Sequence, residues 1–112
     1  MKVITEQQLQ NIHNDKKVVV ALFTQEHCFP CGCMKTAMGK VEESLKRPDV
    51  LEFVELPTEQ NEKLSEALTI EYSPTMIIFH EGNELARTER AITVKEIKNA
   101  IANTIAENKI NF

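Results

Sequence analysis

Two cysteines, Cys28 and Cys31, stand with only Phe29 and Pro30 between them, at the boundary between two kinds of apolar pattern. Before them Lys17 to Thr24 reads KVVVALFT, a β-branched run of the length of a buried strand. After them Met34, Ala37, Met38, Val41 and Leu45 recur at helical spacing. The pair therefore sits where a strand turns into a helix. Two thiols at this separation close a small ring or grip one metal, so the motif implies redox chemistry or a metal site, and its placement favours redox.

The first turn of a helix has unpaired backbone N–H groups and a partial positive charge, both of which stabilise a thiolate over a thiol. Cys28, at the very start of the helix, is the thiol expected to benefit. Cys31 lies one turn in, within reach of a disulfide of ordinary geometry. In such an arrangement the outer sulfur attacks a target disulfide and the inner one resolves the mixed disulfide. Pro30 is expected at the first helical position, where its fixed φ suits the turn and its missing N–H leaves nothing unpaired.

At 112 residues the chain has room for one core and not two, so residues 1–112 are expected to form a single domain. A net charge of −4, with no basic patch, argues against nucleic acid or an anionic membrane as partner. The longest apolar run, Val18 to Phe23, is too short to span a bilayer, and the N-terminal MKVITEQQLQNIH has no apolar signal-peptide core. Three cysteines cannot all pair within one chain. The expectation is a cytoplasmic monomer in a reducing compartment, where a disulfide is transient.

The remaining elements follow from caps and breakers. Val3 and Ile4 form a short strand, and Thr5 with Gln8 makes a capping box for a helix with Leu9 and Ile12 on its apolar edge. The helix at the cysteine pair should stop by Arg47, because Pro48 disfavours helical geometry before it. Val50 to Leu56 reads as a strand closed by Pro57. Thr58 is expected to cap a helix to about Leu68, with Leu64, Ala67 and Leu68 inward. Thr75 to His80, TMIIFH, is a compact strand, and Glu81 to Glu84 a hairpin turn into a more polar strand reaching about Ala91. Thr93 and Glu96 form a second capping box, after which Val94, Ile97, Ile101 and Ile105 line a terminal helix. The fold class is α/β, in the order βαβαβαββα. Strands joined by helices are expected to run parallel and the last two antiparallel, giving a mixed central sheet with helices on both faces.

Together these features resemble the thioredoxin family from Val3 to Glu107. The resemblance rests on the strand, the Cys-x-Pro-Cys turn and its helix; on Tyr72-Ser73-Pro74-Thr75 opening a strand that ends at a Gly turn; and on the terminal amphipathic helix. It implies the thioredoxin fold, a cis bond before Pro74 and a backbone at Ser73 open to an extended substrate segment. It also implies reduction of protein disulfides by Cys28 as nucleophile and Cys31 as resolving thiol, with His27, Phe29, Pro30, Ser73 and Pro74 on the substrate side. No organic cofactor or metal is required; a thioredoxin-reductase-like enzyme or another dithiol donor would re-reduce the pair. A proline before the second cysteine resembles the reducing members.

Several residues depart from the family pattern. His27 replaces the tryptophan before the first cysteine, Phe29 a glycine, and Thr36 a mid-helix proline, while Gly32 and Cys33 follow the pair where a basic and an apolar residue are common. The family's buried aspartate aligns with Leu22 and its partner lysine with Glu55. Since Leu22 cannot accept a proton, Glu55 is a candidate catalytic base reaching toward Cys31, unless it lies solvated near the strand end. His27 is either an exposed polar residue or an imidazole that lowers the Cys28 pKa. Cys33 reads as a small buried hydrophobe ahead of a redox role, and should bridge to neither partner; His13 and His80 read as surface or strand-end residues. The alternative is a non-catalytic binding module of the same fold, with an idle disulfide at the pair or a zinc ion to which Cys28, Cys31, Cys33 and His27 are offered; no second CxxC completes such a zinc site.

Overall fold

All seven residues of β2 (Val18–Thr24) are buried, and the other strands are arranged around it in a computed structural model that describes residues 1–111. In chain order the elements are β1 (Lys2–Val3), α1 (Glu6–His13), β2, α2 (Phe29–Leu45), β3 (Leu51–Pro57), a 3-10 turn (Thr58–Gln60), α3 (Glu62–Ala67), β4 (Thr75–His80), β5 (Asn83–Thr88) and α4 (Val94–Glu107). The sheet runs β1-β3-β2-β4-β5. This is the expected succession and the expected mixed sheet.

Alternation along β2 divides the core in two. Val18, Val20 and Leu22 face Met34, Met38 and Val41 of α2 and Ile97 and Ile101 of α4. Val19, Ala21 and Phe23 face the other way, onto Leu9 and Ile12 of α1 and Leu64 and Leu68 of α3. Both faces of β2 are covered by helices, which is why its sequence is apolar throughout instead of alternating. A fully buried side chain of the size of Phe23 or Met34 contributes about 2–3 kcal/mol through removal of apolar surface from water.

The strand directions correct one expectation. β1 and β2 run parallel to β3, but β4 pairs antiparallel with β2, Phe23 opposite Thr75, although a helix connects β3 to β4. A helix between two strands does not by itself make them parallel: Thr75 enters beside Phe23, which lies opposite Leu56 near the end of β3, so the connection returns to the edge where β3 ends.

Local chemistry accounts for the ends. Both capping boxes form, Thr5 with Gln8 and Thr93 with Glu96. α2 stops at Leu45 on Lys46, which is left-handed at φ 44°, two residues before Pro48. The β4–β5 turn has two residues, Glu81 and Gly82, at φ 51° and 84°, the positive-φ pair that suits strand twist. Thr58 does not cap α3 as expected. It opens the 3-10 turn, and α3 follows Asn61, whose side chain is engaged elsewhere. Asn61 Oδ1 accepts from the Glu6 N–H at 2.9 Å, and its Nδ2 donates to the carbonyls of Pro57 at 3.0 Å and Ile4 at 3.5 Å. This long-range fastening starts the helix three residues later, and turns Ser65 inward while Ala67 is exposed.

Candidate functional site

The C-terminal ends of β2 and β3 and the start of β4 meet at one edge of the sheet. Cys28 is the N-cap of α2, in extended conformation, and its sulfur accepts the Cys31 N–H at 3.2 Å. A cap residue with a sulfur in place of an oxygen thus takes one of the helix's unpaired donors. Cys28 and Cys31 are joined as a disulfide with their Cα atoms 5.3 Å apart. The two sulfurs are not equivalent: Cys28 is half-buried, while Cys31 is only 3% exposed. Phe29 takes the first helical position and Pro30 the second, one place later than expected; a missing N–H is harmless at either.

The segment before β4 closes over this turn. Ser73–Pro74 is cis, and the Ser73 carbonyl oxygen lies 3.7 Å from the Cys28 sulfur. Thr75 Oγ1 donates to the Tyr72 carbonyl at 2.6 Å and ties the segment to the strand. Ser73 takes part in no backbone–backbone hydrogen bond among the described residues, and its carbonyl faces the Cys28 sulfur. On the far side His27 is exposed and left-handed, at φ 56°. Beside it the Glu26 N–H donates to Glu59 Oε2 at 2.6 Å; that bond first, then Glu59's own N–H and the charge of His27, hold the Glu59 carboxyl below its ordinary range.

Glu55 lies on β3, in register with Leu22 and therefore on the α2 face of the sheet. At 7% exposure it is not the solvated strand-end residue that was one expectation. Nor is it bonded to Cys31. Thr24 Oγ1 donates to its Oε2 at 2.8 Å, and Lys35 Nζ lies 3.5 Å from its Oε1. Lys35 is a residue that sequence reasoning missed. It is one helical turn beyond Cys31 and so on the same side of α2, a spacing that was visible, but its partner is twenty positions away.

Cys33 overturns the expectation of burial: it is exposed and free, two positions beyond Cys31 and so about 200° around the helix from it. His13 is half-buried. Its ring packs on Phe79 with centroids 5.1 Å apart, and its buried Nδ1 has no partner among the described residues. His80 does end its strand, with Nε2 3.6 Å from Glu81 Oε1. The four residues considered for zinc do not converge, and among the described residues no three His, Cys, Asp or Glu side chains form a metal-holding group. No helix among them is long and apolar enough to cross a membrane.

Comparison with known proteins bears on this arrangement directly. The family described as Thioredoxin matches residues 1–103. The chain belongs to the thioredoxin family. Thioredoxin Y1, chloroplastic, from Arabidopsis thaliana is 31% identical over 94 residues, covering 84% of this chain and 53% of that protein. The NADPH-dependent thioredoxin reductase 3 of the same plant is 27% identical over 84 residues, 75% of this chain but 15% of its own length. The crystal structure of chloroplastic thioredoxin z superposes with a TM-score of 0.81 at 22% identity, covering 95% of each chain, and shows the same fold. The chain spans about half the length of the plant thioredoxins Y that it matches, 53% and 55%. The thioredoxin redox motif is present here as Cys28 and Cys31, in disulfide contact.

Proposed function

We propose that this thioredoxin-family chain is a thiol-disulfide oxidoreductase that reduces protein disulfides, working as a cytoplasmic monomer. The observation that carries the reading is the asymmetric disulfide at the start of α2: one sulfur open beside the backbone of Ser73, the other buried. In the dithiol form the Cys28 thiolate, stabilised by the Cys31 N–H and the helix N-terminus, attacks one sulfur of a substrate disulfide. A Cys28–substrate bond forms, the substrate S–S bond breaks, and the departing sulfur takes a proton. Cys31 then loses its proton and attacks the Cys28 sulfur, closing the Cys28–Cys31 disulfide and releasing the second substrate thiol. The substrate gains two electrons and two protons, and the protein is oxidised by the same amount.

Ser73 and Pro74 hold the substrate segment as an added strand against the sulfurs, with His27, Phe29 and Pro30 on the opposite rim. Glu55 is the acceptor for the Cys31 proton, through a bridging water, since its direct bonds go to Thr24 and Lys35. A dithiol donor of the thioredoxin-reductase kind returns the electrons; a thioredoxin reductase among the matched relatives supports that class. An exposed unpaired Cys33 supports a reducing compartment. The test is insulin-disulfide reduction with iodoacetamide mapping of the reduced protein. Turnover with Cys28 labelled first is expected; labelling of Cys31 ahead of Cys28, or no turnover, overturns the proposal.

A further inference from the structure

Three large hydrophobic side chains are strongly exposed among the described residues, and two of them flank the sulfurs: Phe29, 85% exposed, and Tyr72, 56%. They come from different elements. Phe29 follows Cys28 on α2, and Tyr72 precedes Ser73, whose carbonyl touches the Cys28 sulfur, so the two rings are carried by the two segments that meet at that sulfur. Single exposed apolar residues are ordinary, but two exposed aromatics on the segments that meet at a reactive atom offer apolar contact surface beside it.

In the segments that carry the two rings, residues 25–29 and 70–74, the carboxylates are Glu26 and Glu71, the other ionisable side chains are His27, Cys28 and Tyr72, and neither segment holds a Lys or Arg; Arg87, which donates to the Leu68 and Thr69 carbonyls, is paired with Glu84. Glu59 adds a third carboxylate through its bond to the Glu26 N–H, and that bond and the charge of His27 keep it ionised. The backbone of Ser73 makes no backbone–backbone hydrogen bond among the described residues and can pair with an extended strand, in which side chains on either side of one residue point to the same face.

We propose that this surface selects disulfides whose half-cystine lies in an extended segment between bulky apolar residues, with Lys or Arg further out and not Asp or Glu. The inference rests on the reductase reading and supplies its substrate class. Phe29 and Tyr72 cover the apolar neighbours, Ser73 pairs with the segment's backbone, and Glu26, Glu59 and Glu71 attract its outer cation.

The experiment mixes the fully reduced chain with peptides that each carry one cysteine as a mixed disulfide with glutathione, and follows oxidation of the pair in a single turnover. Peptides with Leu and Phe beside the cysteine and Lys outside should react about ten-fold faster than those with Ser and Gly beside it. Replacing the outer Lys by Glu should slow the reaction several-fold at low salt, a difference that shrinks in roughly 0.5 M salt. In Phe29→Ala/Tyr72→Ala the preference for apolar neighbours should fall below about two-fold, whereas Tyr72→Phe keeps it. Equal rates for all peptides on the native chain, or an undiminished preference in the double variant, overturn the selection while leaving the reductase reading intact. Failure of every peptide to oxidise the pair overturns both.

Discussion

Two of the polar side chains buried against the central sheet, Asn61 on one face and Glu55 on the other, are satisfied in different ways. On the α1/α3 face Asn61 is bonded to main-chain atoms of Glu6, Pro57 and Ile4. Main-chain atoms of packed elements do not rotate away, so Asn61 acts as a fastener. On the α2/α4 face Glu55 is bonded to side chains only: a Thr24 hydroxyl and the ammonium of Lys35, which is 48% exposed at its side chain. Those partners can turn and take up water. The contrast teaches that buried polarity is structural where the backbone satisfies it and free for chemistry where mobile side chains do.

The largest expected effect locates chemistry on the second face. Cys28→Ser should lose all turnover, and Cys31→Ser should instead accumulate a covalent mixed disulfide with substrate, visible by mass spectrometry. Next, Glu55→Gln should slow resolution of that mixed disulfide by about 100-fold with little change in the rate at which Cys28 is alkylated. Unchanged resolution kinetics would make Glu55 a fastener like Asn61 and erase the comparison. Asn61→Ala should lower stability by about 2 kcal/mol in urea, because buried main-chain groups lose their partner, while disulfide reduction by the folded protein stays at its native rate.

The smallest effect belongs to His13, also on the first face. Burial holds its pKa below the free value of 6.5, because the charged form is disfavoured there. The unfolded chain therefore binds the proton more readily than the folded one. Its contribution to stability is intact above pH 6.5 and is lost as the pH falls through the lower folded value, a slope that His13→Gln should flatten in thermal unfolding between pH 7 and pH 5.

Much of this fold was legible because its signals are local. The two capping boxes, the positive-φ turn at Gly82 and the strand-to-helix switch at Cys28 each lie within a few residues of chain. What failed was long-range. The start of α3 moved because Asn61 is fastened to Ile4 and Glu6, more than fifty positions away, and no spacing rule shows that. The direction of β4 is fixed by its pairing with β2, Thr75 opposite Phe23, which lies more than fifty positions earlier in the chain. At the site, the redox pair and Ser73–Pro74 were readable from motif and resemblance, whereas nothing local in the sequence links Lys35 to Glu55, twenty positions away. Cys33 was misjudged by a preference for buried cysteine that the rotation about α2 overrides.

The position of β2 has a further consequence, for how the molecule opens. Its backbone is bonded to β3 along one edge and β4 along the other, with no residue exposed, while β1 and β5 form the margins of the sheet. Amide protons of β1 and β5 should exchange with deuterium through local fraying, and those of β2 only when the entire chain unfolds. The cysteine turn is thus anchored to the slowest-exchanging segment, so a molecule that loses a marginal strand to heat or denaturant keeps its sulfurs in working geometry until global unfolding.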